Sequence, residues 1–480
     1  FVKANYNEYG FTGYSAINNY VKDPVAPTVQ EVIDMASNAA TMTVAAEKKV
    51  ATGDTEVTLN GLPVGYYLVM VTSGSETVYS PMIAGIYYSK SATDNTLTNG
   101  AISADSDFEI KAQKCWAKSS TPKLEKTIVT PSSKNSKGDD IAIGDKTTFK
   151  LSATVPSYSK EYKKVTYKIY DIMSEGLDYV DGSMKCFIEK YENNRENIKV
   201  TPKVNGGIIE ITFDSKFILE HPGQKIQVEY QAKLNEKAGV NFDANINKAY
   251  LEYSNNPASG STAKTGEDKV YVYTFGIDSN LFGKSTEKWN EKTKELIKVE
   301  EGEYQWVETE KESGIFTTTT ALEGATFTLT NNKTKKSYTA TSDKYGYLKF
   351  TGLDAGEYTL QETDAPDGFT LNDAKHTVVI TAEYNQDGTL KSYTIKIDDK
   401  ATSTYTATYD KGVIKTITST KDSQGNISES AILKNSKMSF LPSTGGVGTT
   451  IFAIVGVVFV AVALGLHMIL RGKSKLEQDR

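Results

Sequence analysis

Cysteine is almost missing from this chain: its 480 residues carry two, Cys115 and Cys186. A disulfide-stapled scaffold and any CxxC metal or redox motif are thereby excluded. Histidine is nearly as scarce, with His221, His376 and His467 alone. That leaves few ligands and bases for a His-rich metal site or for several His-based catalytic sites. A charge of one sign is lacking as well: 54 Lys and Arg against 60 Asp and Glu give a net −6, with no basic footprint for nucleic acid. What is plentiful is Tyr, 29 against 17 Phe and 3 Trp, together with Thr throughout, a bias toward β-structure. The length predicts about three domains.

Enzyme signatures are missing too. Gly283-Lys284-Ser285 suggests a phosphate loop, but GxxxxGK[ST] requires Gly where Asp278 stands. Asp105, Asp107 and Glu109, like Asp398 and Asp399, lack EF-hand spacing and read as solvated strand edges. No GxSxG elbow occurs, and a Ser/His/Asp hydrolase would have to recruit His221, beside Pro222, or His376. No metal, cofactor or turnover of outside substrates is expected. Cys115 and Cys186 fall in different expected domains and are read as two separate thiols.

Alternating segments such as Thr147–Val155, Lys225–Ala232 and Lys391–Ile397 predict strands with one buried face. Asn205-Gly206-Gly207, Asn255-Asn256-Pro257 and Gln386-Asp387-Gly388 mark turns between strands. Many short strands with such punctuation predict β-sandwiches. Outside the C-terminal apolar run, the one helical stretch is near Val29–Ala40. An internal repeat aligns Val57–Val71 with Leu348–Glu362 without gaps, matching Gly61 with Gly352, Gly65 with Gly356 and Tyr67 with Tyr358. Its last pair differs: Val71 stands opposite Glu362. The expected units are 1–119, 120–268 and 269–437, followed by 438–480. The second unit is expected to end before a strand Val270–Phe275 that opens the third, and the charged insert Lys284–Lys311 predicts a solvated loop or hairpin.

At the C-terminal end, Ile451 to Leu470 holds no Asp, Glu, Lys or Arg and is long enough to span a bilayer. Arg471, Lys473 and Lys475 follow, which puts the short tail in the cytoplasm and the large polar part outside. An exported chain that opens FVKANYNEYG, without Met, basic start or apolar stretch, is expected to be processed or a fragment. Leu441-Pro442-Ser443-Thr444-Gly445 precedes the span. Pentapeptide, apolar span and basic tail together resemble the LPxTG cell-wall sorting signal of Gram-positive surface proteins. The resemblance implies that a sortase cleaves after Thr444 and passes its acyl group to an amine. Pro442 fixes an extended bend and Gly445 leaves the scissile carbonyl open to a thiol nucleophile.

Two further strings resemble Gram-positive pilin domains. Tyr358-Thr-Leu-Gln-Glu362-Thr-Asp-Ala-Pro366-Asp-Gly368-Phe369 is similar to the pilin E-box, and Gly324–Leu329 to the opening strand of collagen-adhesin B-type domains. That resemblance implies a spontaneous isopeptide bond between a first-strand Lys and a last-strand Asn, catalysed by Glu362. Asn435 matches the Asn; Lys284 is the nearest Lys, a few positions beyond the family's place near Leu281. The segment from residue 120 resembles the collagen-adhesin A-type pilin domain, which implies Lys126 on the first strand, Asp171 as catalytic acid and Asn247 on the last strand. Val71 cannot polarise a carbonyl, so no such bond is expected in the first unit.

The expected fold is all-β: tandem immunoglobulin-like β-sandwiches, then a C-terminal transmembrane helix. The resemblance implies the shaft subunit of a sortase-polymerised, wall-anchored pilus on a Gram-positive cell. Its partners would be pilus-specific and housekeeping sortases, identical subunits, minor pilins and peptidoglycan, with host ligands left open. A non-polymerising adhesin or a minor pilin is the alternative; a surface enzyme is the other class. The polymerisation lysine is expected at Lys118, then Lys114, with Lys111 and Lys123 behind them; Lys123 is taken to sit inside the next strand.

Overall fold

The computed structural model describes residues 27–51, 53–63, 65–71, 76–90, 108–129, 131–133, 135–191, 194–277, 283–285, 294–300, 303–308, 323–343, 348–398, 401–421 and 432–434. The apolar run 451–470 and the sorting pentapeptide lie outside them.

Alternation builds the second unit. Phe149, Leu151 and Ala153 point inward from Lys146–Thr154, and Ile226, Val228, Tyr230, Ala232 and Leu234 from Lys225–Leu234. Full burial of such side chains contributes about 1.5–3 kcal/mol each. These strands join Leu124–Val129, Lys185–Tyr191 and Asn194–Ile198 in one sheet, with Leu177–Tyr179 on its flank. A second sheet runs Lys203–Asn205, Ile208–Thr212, Tyr167–Met173, Asn245–Asn256, Asp268–Tyr273 and Gly138–Asp140, with Ser261–Lys264 beside Asn245–Asn256. One apolar core fills the space between the two sheets.

Two boundary expectations change. The strand expected as Val270–Phe275 is split: Asp268–Tyr273 pairs with Asn245–Asn256 in the second unit, while Phe275–Ile277 pairs with Phe350–Leu353 of the third. Asn247 therefore does not lie on the last strand of its sandwich, because Ser261–Lys264 and Asp268–Tyr273 follow it. The apolar alternation of Val270 and Val272 needs both sheets to cover it, and the sequence alone does not say which unit supplies them. A short helix, Ser215–Glu220, also joins the fold, capped where Phe217 N donates to Asp214 Oδ1.

The third unit is a seven-stranded antiparallel sheet ordered Ser337–Thr341, Thr326–Asn331, Gly356–Asp364, Lys375–Tyr384, Leu390–Ile397, Ala401–Asp410 and Val413–Lys421. Its threonines stand opposite one another and bond across strands, Thr326 to Thr341 at 3.1 Å and Thr394 to Thr404 at 2.9 Å. Such pairs stabilise a sheet by a few tenths to about 1 kcal/mol each, which gives the Thr-rich composition a physical use. The charged insert contains a hairpin, Lys294–Glu300 against Glu303–Glu308.

The first unit contributes a helix, Val29–Ser37, and a three-stranded sheet of Gly65–Val69, Met82–Lys90 and Phe108–Ala112. The helix opens with a capping box between Thr28 and Glu31 and buries Ile33, Met35 and Ala36. The sequence repeat is a repeat in space as well. Gly61 and Gly352 both adopt positive φ, and both repeat strands begin at the matched glycine, Gly65 or Gly356. The hydroxyls of Tyr67 and Tyr358 donate to carbonyls four residues upstream, those of Pro63 and Asp354. The copies part at the end of the strand: the first stops at Val69, the second continues to Asp364.

The second and third units meet closely. Ile143 N donates to Gly352 O, and Lys336 Nζ reaches Ile143 O and Asp145. At Gly138 and Gly388 the backbones come so near that a Cβ on Gly138 would stand 2.2 Å from Gly388 O. Asp140 is buried in this joint, accepting from Ala355 N and, at 2.7 Å, from the Tyr384 hydroxyl.

Candidate functional site

Three polar side chains occupy inward positions in strands whose inward residues are mostly apolar. Lys126 sits between Leu124 and Ile128, Asp171 between Ile169 and Met173, and Asn247 shares its face with Ala249 and Leu251. All three are fully buried. Lys126 comes from the first strand of one sheet; Asp171 and Asn247 stand on neighbouring strands of the facing sheet, where Ala249 pairs with Asp171 and Asn247 with Met173. The sandwich thus closes a lysine from one layer onto an acid and an amide from the other.

Lys126 Nζ contacts Asp171 Oδ2 directly. It also donates to the Tyr230 hydroxyl at 3.1 Å. That hydroxyl donates to Asp171 Oδ1 at 2.7 Å and accepts from Asn247 Nδ2 at 2.7 Å. Asn247 Oδ1 is buried without a hydrogen-bond partner. Burial drives the Lys126 ammonium toward the neutral amine, against the pull of the Asp171 carboxylate. Aromatic rings wall the site, with the Phe149 centroid 5.1 Å from Nζ. The arrangement holds a desolvated amine, a carboxyl group and a primary amide in one dry pocket, which is what amide exchange requires.

Tyr230 is the member that sequence reasoning missed. It lies on the alternating Lys225–Leu234 strand at an inward position, paired with Phe149. A buried tyrosine needs a partner for its hydroxyl, and that need is the signal the strand pattern carried.

In the third unit, Glu362 is buried at the inward end of the run Tyr358, Leu360, Glu362, paired with Phe327. Asn372 N donates to its Oε2 at 2.8 Å. The strand Gly283–Ser285 runs parallel to Ile432–Lys434, with Lys284 opposite Leu433. Asn435 follows that strand in sequence and lies outside the described residues. Among the described residues no three His, Cys, Asp or Glu side chains converge to hold a metal.

Comparison with known proteins adds two matches. Residues 316–394 match the SpaA prealbumin-like fold domain. Residues 434–475 match the LPXTG cell wall anchor motif. The chain carries a SpaA domain and a Gram-positive wall anchor. It is 26% identical over 462 residues to the trypsin-resistant surface T6 protein of Streptococcus pyogenes serotype M6, across 87% of this chain and 80% of that one. The structure of the T6 backbone pilin of serotype M6 Streptococcus pyogenes shares the fold, with a TM-score of 0.56 at 20% identity, over 89% of this chain and 91% of that one. The chain is thus a relative of a Gram-positive backbone pilin, and its place is the cell wall.

The SpaA match takes in Glu362 but not the site in the second unit. The anchor match contains Leu441, Pro442, Ser443, Thr444 and Gly445, all outside the described residues. Around the expected polymerisation lysine, Lys118 is exposed, and its carbonyl accepts from Ser80 N at 3.0 Å. The next two residues, Ser119 and Ser120, pair with Tyr79 and Val78 in that order. Lys114 is exposed and paired with Glu56 at 3.0 Å. Lys123 departs from expectation: it is exposed and stands just before the strand Leu124–Val129. Asp398 departs as well. It is no solvated edge but accepts from Thr377 N and contacts His376 Nδ1 at 2.6 Å, so His376 is tied to a turn. Cys115 is exposed and Cys186 buried, both free; burial pushes the Cys186 thiol up to about 12.

Proposed function

We propose that the chain is the shaft subunit of a covalently polymerised surface pilus, joined internally by isopeptide bonds and anchored to peptidoglycan through Thr444. The observation that carries the reading is the fully buried trio Lys126, Asp171 and Asn247, held across a sandwich in a relative of a backbone pilin. Neutral Lys126 attacks the Asn247 side-chain carbonyl carbon. Asp171, having taken the surplus lysine proton, donates to Asn247 Oδ1, the buried acceptor that otherwise lacks a partner. The new C–N bond forms as the old one breaks, and ammonia leaves. In the third unit the same exchange joins Lys284 to Asn435 with Glu362 as the acid. The parallel register of Gly283–Ser285 and Ile432–Lys434 supports this by bringing the two segments side by side. The first unit, with Val71 at the acid's place, makes no such bond. Each loop closed is longer than 100 residues, and a chain-entropy estimate gives about 5 kcal/mol of stabilisation.

Between subunits, Lys118 is the amine that takes the Thr444 acyl group; it is exposed beside a short serine pair. Pilus-specific sortase, identical subunits and minor pilins are the partners, with a housekeeping sortase and peptidoglycan at the base. Wall extracts on a denaturing gel test the reading. A ladder of covalent multimers is expected, collapsing to monomer in Lys118→Arg, which keeps the charge but not a competent nucleophile. A wild-type chain that stays monomeric in the wall would instead mark a non-polymerising adhesin.

A further inference from the structure

The reaction in the second unit exchanges one nitrogen for another on the Asn247 carbonyl, and one hydroxyl touches both. Tyr230 Oη lies 3.1 Å from Lys126 Nζ, the incoming nitrogen, and 2.7 Å from Asn247 Nδ2, the leaving one. It is also bonded to Asp171 Oδ1 at 2.7 Å. We propose that Tyr230 is a catalytic residue of this site, the relay that carries a proton from the attacking lysine to the departing amide nitrogen. The inference rests on the reading that Lys126 and Asn247 condense, and deepens it.

The balance is simple. Nζ forms its bond to the Asn247 side-chain carbon and gives one hydrogen to Oη. Oη passes its own hydrogen to Nδ2, the carbon–Nδ2 bond breaks, and ammonia leaves. The phenol ends as it began, so no outside acid, base or oxidant is needed. Asp171 keeps its place on the relay, orienting the hydroxyl through Oδ1 and the amine through Oδ2. Burial holds the phenol protonated. It therefore serves by accepting and donating together and not as a free phenolate base.

The ring is fixed for that task. Tyr230 belongs to the central Lys225–Leu234 strand of its sheet. Its ring packs against those of Phe149, at 5.6 Å, and Tyr179, at 5.8 Å. Tyr230→Phe would keep those contacts and lose only the hydroxyl. By contrast, Asp171 cannot bridge the two nitrogens alone in this geometry, since the hydroxyl is the group bonded to Asn247 Nδ2.

The test follows newly synthesised full-length chain by intact mass and by a peptide map for the Lys126–Asn247 branch. Wild type, Tyr230→Phe and Asn247→Ala are compared, with far-ultraviolet circular dichroism as a check on folding. Tyr230→Phe is expected to fold and to form the branch about 100-fold more slowly, within the usual range for losing a general acid–base group. A branch formed at the wild-type rate overturns the relay while leaving the condensation intact. A wild-type chain with no branch at Lys126 removes the condensation and the relay together. Because a phenylalanine variant can fail to fold, 3,5-difluorotyrosine placed at 230 gives a second readout. It keeps shape and hydroxyl but acidifies the phenol, so the pH profile of branch formation should shift; an unmoved profile rejects the relay.

Discussion

The second and third units place the residues of the two proposed bonds on different scaffolds. In the second, the lysine stands on one sheet and its acid and amide on the other, so packing of the sandwich itself assembles the site. In the third, the lysine strand runs beside the segment that leads to Asn435, and the acid stands at the buried end of a repeat strand. The first unit carries the same repeat, with its positive-φ glycine and its tyrosine hydroxyl bonded four residues back, and ends in valine. Turn and strand are therefore a structural device used twice, and the proposed chemistry rests on one side chain added at the end of the second copy.

The comparison also limits the mechanical role. Asn247 is followed by Ser261–Lys264 and Asp268–Tyr273, so a Lys126–Asn247 bond leaves the exit strand outside the closed loop. Tension leaving the second unit then crosses Asp268–Tyr273, which is held by Asn245–Asn256, by Gly138–Asp140 and by the packed joint with the third unit. In the third unit the proposed bond lies near both ends of the domain, and far less chain is left outside it.

The largest effect is expected from Asn247→Ala. It should abolish one ammonia loss, leave the other, and lower unfolding stability by about 5 kcal/mol, read as a fall in thermal midpoint. Asp171→Ala should leave the same pair unjoined, and its midpoint should fall to a similar or slightly smaller extent. Equal midpoints for wild type and Asn247→Ala would remove the second unit from the comparison.

Glu362→Ala sharpens it from the other side. Its intact mass should rise by one ammonia relative to wild type, corrected for the substitution, while the Lys126–Asn247 branch persists in the peptide map. Loss of both branches would mean that the two sites are not independent.

The smallest effect concerns the joint that lies outside the second loop. Burial pushes Asp140 up to about 6, partly offset by its bonds to Tyr384 and Ala355. A carboxyl raised in the folded state favours that state while protonated. The joint should be firmest below the ordinary carboxylate range, around pH 4, and loosen as pH climbs through about 6. The change is bounded by about 3 kcal/mol. Thermal melts across this range should show the slope in wild type and a flatter line in Asp140→Asn.

Much of this was legible in the sequence because strands announce their inward faces. Lys126, Asp171 and Glu362 were named from resemblance to pilin domains, and the structure places each where it interrupts an apolar alternation. Tyr230 was not legible as a site residue, since a tyrosine fits an inward position by its ring and its hydroxyl partners come from three distant segments. The place of Asp268–Tyr273 was hidden for a similar reason: alternation fixes which face is buried, not which sheet covers it. The Asp140–Tyr384 contact spans 244 positions, and no local pattern marks such a pair.

The most direct test of the central claim is a peptide map of the folded wild-type chain. A branched peptide in which the Lys126 side chain is joined to that of Asn247, lighter than the sum of its arms by one ammonia, is the predicted result. Recovery of both residues in separate, unmodified peptides from fully folded protein would contradict the account.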